Sequence, residues 1–142
     1  MSTSTRITEH ILRAFAVPVV GLFGAAVALL PALLLLELIQ WLSAPAFVFV
    51  LVKMAASMVK GFAFVFAGSL VATVAWRVRA AYMLLGLGIL FYFCFQYYPF
   101  PDSNYERDSG VSAWVVLHLA VAIAGGLLAV AILRFRRHEK RS

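Results

Sequence analysis

Four long apolar segments constrain the fold of this chain more than any other feature of its sequence. A helix needs about 20 apolar residues to cross a hydrocarbon core of about 30 Å. Segments of that length cover residues 17–42, 46–76, 80–98 and 113–133. They should be helices, because backbone polar groups in lipid must be bonded internally and no partner strands are present to close a barrel. The sequence therefore predicts an all-α integral membrane bundle of four transmembrane helices, built as a single domain.

The amino-acid composition agrees with a membrane bundle and excludes a soluble fold. The 142 residues are 64% hydrophobic and only 13% charged, whereas a soluble domain is about half apolar and a quarter charged. The net charge of +6 does not form a solvated patch, because the charged residues stand at the ends of apolar segments. We therefore expect no nucleic-acid partner. The single cysteine, Cys94, excludes an internal disulfide and a cysteine metal cluster.

Basic residues mark alternate ends of the four segments. Arginine and lysine are frequent in the N-terminal residues, in the connection at 76–79 and in the tail at 134–142. The first connection has none, and the long loop at 99–112 has only Arg107. Lysine and arginine in short loops favour the cytoplasmic side of a membrane. We therefore expect cytoplasmic termini, an outer loop at 99–112 and a basic cytoplasmic tail, in a multi-pass protein of a bacterial inner membrane.

The N-terminal residues 4–16 combine apolar and charged positions with a helical period. Ile7, Ile11 and Phe15 fall on one face, and charged side chains occupy much of the rest. This pattern is typical of a short amphipathic helix that lies on the cytoplasmic surface. The alternative is that these residues form the solvated start of the first span. The first apolar segment is too long for a signal peptide and contains Glu37, so we interpret it as an uncleaved span.

Polar side chains interrupt the predicted spans in the outer half of the bilayer. If the second span ends near Trp76, Lys60 lies about 24 Å above the inner boundary at 1.5 Å per residue. Lys53, Ser57 and Lys60 share one helix face, because their spacings are four and three residues. The same depth calculation places Glu37 and His118 in the outer half of the bilayer as well. The predicted intramembrane polar cluster is therefore Glu37, Lys53, Ser57, Lys60 and His118.

Two interpretations of this cluster stay open. Charged groups inside a span usually mark functional sites and pair with a partner, so the cluster could line a polar pocket or an ion path that opens outward. The simpler interpretation is an ion pair between Glu37 and Lys53, with Lys60 extending to the interface through its long stem and His118 neutral beside it. The cytoplasmic halves of the spans have almost no polar side chains, which counts against a complete ion path.

Small residues recur at a spacing of four residues, which allows helices to approach closely in a membrane. The positions predicted for such helix packing are Gly21, Ala25, Gly61, Ala122 and Gly126. The second apolar segment also exceeds the thickness of the bilayer, since one helix over 46–76 would measure about 46 Å. We therefore expect it to tilt or to project residues 47–52 outward. A projecting apolar segment needs cover, which favours a protein partner.

Sequence motifs of catalysis are missing from this chain. It has no HExxH, Walker or GxGxxG motif and no evident nucleophile beside a base, so we expect no enzyme activity, no bound metal and no cofactor. The sequence predicts a non-catalytic membrane subunit or interaction protein of a larger inner-membrane assembly, whose partners are lipids and other proteins. The alternative is a homo-oligomeric pore, channel or small transporter, with Lys53 and Lys60 in an outward-facing basic vestibule.

Overall fold

Helices are the only regular structure in the described part of this computed structural model, which covers residues 3–97 and 113–139, with side chains for 9, 11–92 and 115–136. The elements are α1 (Thr3–Trp41), α2 (Ala46–Val71), α3 (Arg77–Tyr97) and α4 (Ala113–Glu139). Three stretches are long and apolar enough to cross a membrane: Ile11–Trp41, Ala46–Val71 and Val115–Arg136. The all-helical prediction is confirmed, and these stretches are those of a multi-pass membrane protein. A membrane span by α3 stays a prediction, and the loop at 99–112 lies outside the described residues.

Helix α1 is a single helix of 39 residues. Residues 4–16 therefore do not form a separate N-terminal helix but are its first turns, as the alternative interpretation expected. Pro18 and Pro31 lie inside α1, where each removes one backbone donor, and the helix continues through both. At 1.5 Å per residue α1 is about 58 Å long, so it extends well beyond a hydrocarbon core of about 30 Å.

The turn between α1 and α2 is a compact helix stop. Ser43 adopts φ 51°, the left-handed conformation that commonly follows the last residue of a helix. Its N–H donates to the carbonyl of Gln40 at 3.1 Å, and the N–H of Ala44 donates to the carbonyl of Ile39 at 3.1 Å. This pair of bonds is the Schellman arrangement. Pro45 then precedes the first residue of α2, so the two helices reverse direction within four residues.

Helix α2 ends at Val71, so the prediction of a second span reaching Trp76 is wrong. Ala72 is extended, and the Thr73 carbonyl accepts from the N–H of Trp76 at 2.8 Å in a separate turn. β-Branched residues around this point lower helix propensity, and the Ser69 hydroxyl donates to the Phe66 carbonyl at 2.8 Å, which competes with helix bonding. The helix is consequently about 39 Å long rather than 46 Å.

Helix α2 lies at the centre of the bundle and packs antiparallel to α1. A methyl group added at Gly21 would lie 2.7 Å from the carbonyl oxygen of Phe64, and one added at Gly68 would lie 2.6 Å from that of Val17. Residue numbers therefore rise along α1 in the direction in which they fall along α2. This contact is the most extensive between any two helices, whereas α1 and α4 make none within the described residues.

Helices α3 and α4 complete an up-down-up-down arrangement around α2. Gly68 adjoins Leu84 and Phe64 adjoins Gly88, so α3 is antiparallel to α2. For α4 the residue numbers rise in the same direction as those of α2, so these two helices are parallel. A methyl group at Gly61 would collide with the carbonyl of Ala122, and further along both helices Val65 adjoins Gly126.

This topology brings the start of α1 and the end of α4 to the same end of the bundle. We call it the basic end, because its described arginines are Arg13, Arg77, Arg79, Arg134 and Arg136. The Arg134 guanidinium lies 5.7 Å from the ring centre of Tyr82, which joins the end of α4 to the start of α3. The two termini therefore share one side of the bundle, and which side of the membrane this is stays a prediction.

The buried core lies mainly between the middle of α2 and the basic end. Its members are buried apolar residues, most of them small or branched: Ala25, Phe64, Val65, Ala81, Leu84, Ala129, Val130 and Leu133. Most other large apolar side chains face outward, such as Phe15 at 72% and Phe23 at 70%. Lipid tails are as apolar as these side chains, so their exposure is the expected state of helices in a membrane.

The close contact between α2 and α4 predicts a sharp difference between two glycines. Gly61→Ala should lower the free energy of unfolding by about 1–3 kcal/mol, because its methyl group meets backbone that cannot move without separating the helices. Gly86→Ala should be neutral or stabilising, because no described atom lies within 4 Å of the new methyl group and alanine favours helices. The measurement is reversible unfolding in mixed detergent micelles, and equal stabilities for the two variants would contradict this packing.

Candidate functional site

The predicted polar residues are divided between a hydrogen-bonded pair, a groove and two exposed positions. Ser57 and His118 contact each other across α2 and α4. Lys60 lines a groove shared by all the helices. Lys53 and Glu37 are both exposed, and only the main-chain carbonyl of Lys53 takes part in the Ser57 contact.

The Ser57 hydroxyl links α2 to α4 at the level where Gly61 allows their close approach. Its oxygen lies 2.7 Å from Nδ1 of His118 and 3.1 Å from the carbonyl oxygen of Lys53 one turn back. A hydroxyl has a single proton but two acceptor lone pairs. It can therefore donate to the Lys53 carbonyl and accept from Nδ1–H of His118, when the imidazole carries a proton on that nitrogen. The pair is a structural hydrogen bond between two helices.

Lys60 lies in an apolar groove of about 500 Å³, which we call the Lys60 groove. Helix α2 forms its floor with Gly61, Phe64 and Val65. Side chains from the other three helices form its walls, among them Leu22, Ala25, Ile89, Tyr92, Leu119 and Ile123. Lys60 is partly buried, and it has no hydrogen bond or ion pair with any described side chain. The groove therefore combines a large apolar surface with one cationic group.

Tyr92 adds a polar group to the wall of the Lys60 groove. Its hydroxyl donates to the carbonyl oxygen of Val115 at 3.0 Å and so ties α3 to α4. The hydroxyl oxygen keeps its acceptor capacity. Sequence patterns did not single out this residue, because it stands in an aromatic run in which each ring has the same apparent role of interfacial belt.

The depth of Lys60 differs from the sequence prediction. Two residues that line the same groove give its level: Ala25 stands about 18 Å along α1 from Arg13, and Tyr92 stands about 20 Å along α3 from Arg79. The Cα of Lys60 therefore lies about 18–20 Å from the basic end rather than 24 Å. The predicted depth assumed that α2 continues to Trp76. About 10 Å of a 30 Å core then separates Lys60 from the far boundary, and a four-carbon stem covers only part of it.

The predicted ion pair between Glu37 and Lys53 is wrong. The one ion pair among the described side chains joins Arg13 to Glu9 at 2.6 Å. The antiparallel register, continued from Gly24 beside Ala63, places Glu37 about 4.5 Å beyond the level of Lys53. Both residues are also exposed. Lys53 stands two turns from the start of α2, where its stem can extend to the interface.

The residues predicted for helix packing lie at helix contacts in the described structure. Gly21 meets Phe64, and Ala25 is 8% exposed in the core. Gly61 meets the backbone of Ala122, and Gly126 meets Leu85 and Val65. Two further glycines have the same role. Gly125 faces the carbonyl of Met58, and Gly68 fits between α1 and α3. Gly68 could have been found from its position seven residues after Gly61, which puts both on one face of α2.

The site offers a cation, a tyrosine oxygen and apolar walls. Within the described residues no three histidine, cysteine, aspartate or glutamate side chains gather around a common point. No protein-family model, no curated protein and no solved structure matches the chain. Its function is therefore inferred from its own residues, and Lys60 is the group whose surroundings demand an explanation.

The Ser57–His118 contact predicts a measurable coupling. A double-mutant cycle with Ser57→Ala and His118→Leu should give a coupling of about 0.6 kcal/mol, the average for hydrogen bonds between membrane helices. The matched control is Ser69→Ala with His118→Leu, because the Ser69 hydroxyl bonds to Phe66 within its own helix; these two changes should be additive. Free energies of unfolding in mixed micelles provide the measurement. Additivity in the first cycle would contradict a hydrogen bond at this position.

Proposed function

We propose that this chain is a non-catalytic subunit of a larger assembly in a bacterial inner membrane, and that it docks a transmembrane helix of another protein in the Lys60 groove. The observation that carries the proposal is the location of one charge. The Lys60 side chain lies in an apolar groove near the middle of the bundle, and no described carboxylate pairs with it.

The energy of an unpaired lysine supports a partner. Insertion scales assign about 2.5–3.5 kcal/mol to a lysine at the centre of a spanning helix, and such residues persist where they pair or line a cavity. A carboxylate on a docked helix would remove most of this cost. The neighbouring surface suits such a contact, because apolar residues of all the helices line the groove beside Lys60.

The positions of this chain's own carboxylates favour a different protein over a second copy. The positive-inside rule places the basic ends of two copies on the same side of the membrane, so they would be parallel. Glu37 would then lie about 18 Å further along α1 than Ala25, which marks the level of Lys60. Glu9 lies near the basic end, beyond Arg13. Neither described carboxylate can reach Lys60 of a parallel neighbour.

The interior of the bundle supports docking over conduction. From the level of Lys60 to the basic end, the helices are filled by apolar side chains such as Phe64, Val65, Leu84 and Val130. The one buried polar residue among those described, Ser69, bonds to its own helix. An ion or proton relay needs polar groups at successive depths of the membrane. In a single chain with this core, such groups lie only between Val65 and the end opposite the basic end. A pore would require a wall formed by several copies.

The charge distribution supports an orientation for the docking site. Five described arginines lie at the basic end, against one described carboxylate, Glu9. By the positive-inside rule this end is cytoplasmic, so both termini would lie in the cytoplasm. The Lys60 groove would then open in the middle and outer part of the membrane, where a partner helix approaches it through lipid.

Site-specific photo-crosslinking tests the docking proposal. A benzoyl-phenylalanine at position 22 replaces Leu22, which lines the groove and is 52% exposed. In native membranes it should form a discrete adduct with a protein of another mass. The control places the same group at Leu34, which is 68% exposed on the same helix and lines neither groove. The proposal expects no protein adduct there.

Two lysine variants then separate the role of charge from that of surface. Lys60→Leu should reduce the adduct at position 22 about tenfold or more, because it leaves the partner's carboxylate unpaired. Lys53→Leu removes the same charge two turns away and should change the adduct little. An adduct with the mass of two copies of this chain would support the homo-oligomeric pore instead. Equal yields from both lysine variants, or an adduct at position 34 alone, would overturn docking in the groove.

A further inference from the structure

A second groove opens between α1 and α3 at the basic end, and we call it the basic-end groove. It has a volume of about 590 Å³, and it is independent of the docking proposed for the Lys60 groove. Its walls are apolar, with Val17 and Pro18 from α1 and Ala80, Met83 and Leu87 from α3. Leu84 lines both grooves and separates them.

Arginines surround the mouth of the basic-end groove. Arg13 lines it directly. The Arg77 Nε donates to the carbonyl of Ala72, a wall residue, at 3.3 Å. The Arg79 guanidinium lies 4.8 Å from the ring centre of Trp76, another wall residue. Cations therefore approach the mouth from α1 and from the connection between α2 and α3.

The described carboxylates do not neutralise this mouth. Glu9 pairs with Arg13 at 2.6 Å, but both side chains are about half exposed, at 55% and 45%. Exposed ion pairs of this kind are weak and easily rearranged. Arg77 and Arg79 have no ion pair with a described side chain. The mouth therefore keeps an excess of positive charge for an anionic ligand.

We propose that the basic-end groove binds an anionic phospholipid, with one acyl chain along the apolar walls and the phosphate at Arg13, Arg77 and Arg79. The wall of α3 from Ala80 to Leu87 is about 10 Å deep, which accommodates the upper part of an acyl chain. An amphiphile carries its anion at the end of an apolar chain, and this groove has its cations at the mouth and none inside.

The depth of the groove and the position of its positive charge distinguish this site from the Lys60 groove. A docked transmembrane helix extends well beyond a groove about 10 Å deep, whereas a single acyl chain needs only a narrow apolar channel such as the one lined by Ala80, Met83 and Leu87. The cation of the Lys60 groove also lies about 18–20 Å from the basic end, far from phosphate groups at that surface. Charge at the mouth matches a lipid, and charge at mid-depth matches a carboxylate on another helix.

Trp76 provides an internal probe of this site, because it lines the groove. The protein has three tryptophans. A variant with Trp41→Phe and Trp114→Phe keeps only Trp76, and a variant with Trp76→Phe and Trp114→Phe keeps only Trp41, which lies at the opposite end of α1. Each is reconstituted in bilayers that mix ordinary lipid with brominated phosphatidylglycerol or brominated phosphatidylcholine, and quenching of the fluorescence measures relative lipid binding.

The proposal expects Trp76 to select the anionic lipid. Brominated phosphatidylglycerol should bind beside Trp76 about fivefold more tightly than brominated phosphatidylcholine, whereas Trp41 should show little selection. Arg13→Gln should remove most of the preference at Trp76. Arg136→Gln removes the same charge from the same end of the bundle, but on α4, which does not contact α1 in the described residues, and it should leave most of the preference intact.

Two results would overturn the lipid site. Equal quenching of Trp76 by the two lipids would mean that the groove holds only ordinary boundary lipid, or a protein segment that excludes both. If Arg13→Gln and Arg136→Gln reduced the lipid preference at Trp76 equally, the whole basic surface would attract the anionic lipid and the groove would not be a specific site. Selection at Trp41 serves as a check on folding and orientation, because an inverted or unfolded chain would lose the difference between the two tryptophans.

Discussion

Close backbone contact between α2 and its neighbours is the constraint on which the rest of this bundle depends. Helices in lipid gain little from the hydrophobic effect, so they associate by van der Waals packing and hydrogen bonds. Gly61 and Gly125 bring α2 and α4 together, and Gly21 and Gly68 bring α2 against α1. These contacts set the relative positions of the helices along their axes. The Ser57 hydroxyl reaches its histidine partner because Gly61, one turn away, has no side chain to hold the helices apart.

The same contacts explain why the bundle has two grooves. Helix α2 occupies the centre, α1 packs on one side of it and α4 on another, and α3 contacts α1 only slightly. A gap consequently runs between α1 and α3, and the buried side chain of Leu84 divides it. One half of the gap has Lys60 at mid-depth, and the other has arginines at its mouth. The two grooves differ in where their positive charge lies, and this difference leads to different proposed occupants.

Apolar length and small-residue spacing predict much of this fold, because both are local properties of the sequence. They correctly indicate helices at each segment, a break between the first and second segments, and Gly61 and Ala122 as positions of helix packing. They do not predict the end of α2, since the residues from Ala72 to Ala75 are nearly as apolar as the helix before them and hydropathy does not change there.

The predicted ion pair of Glu37 with Lys53 is wrong for another reason. An ion pair depends on the direction in which each side chain points, and that direction follows from packing between helices. The grooves and the Tyr92 bond likewise need three-dimensional neighbours.

Under the proposed docking, Lys60 is paired only in the assembly, and this would couple the stability of the chain to the binding of its partner. A ligand that binds the folded state alone stabilises it by RT ln(1 + [L]/Kd), and here the ligand would be a helix with a carboxylate near the level of Tyr92. Without that helix the Lys60 ammonium must draw water or lipid headgroups into the groove, each at a cost in free energy. Lys53 carries the same charge without this dependence, because its stem can extend to the interface. The difference between the two lysines therefore lies in depth, and depth is set by where α2 ends.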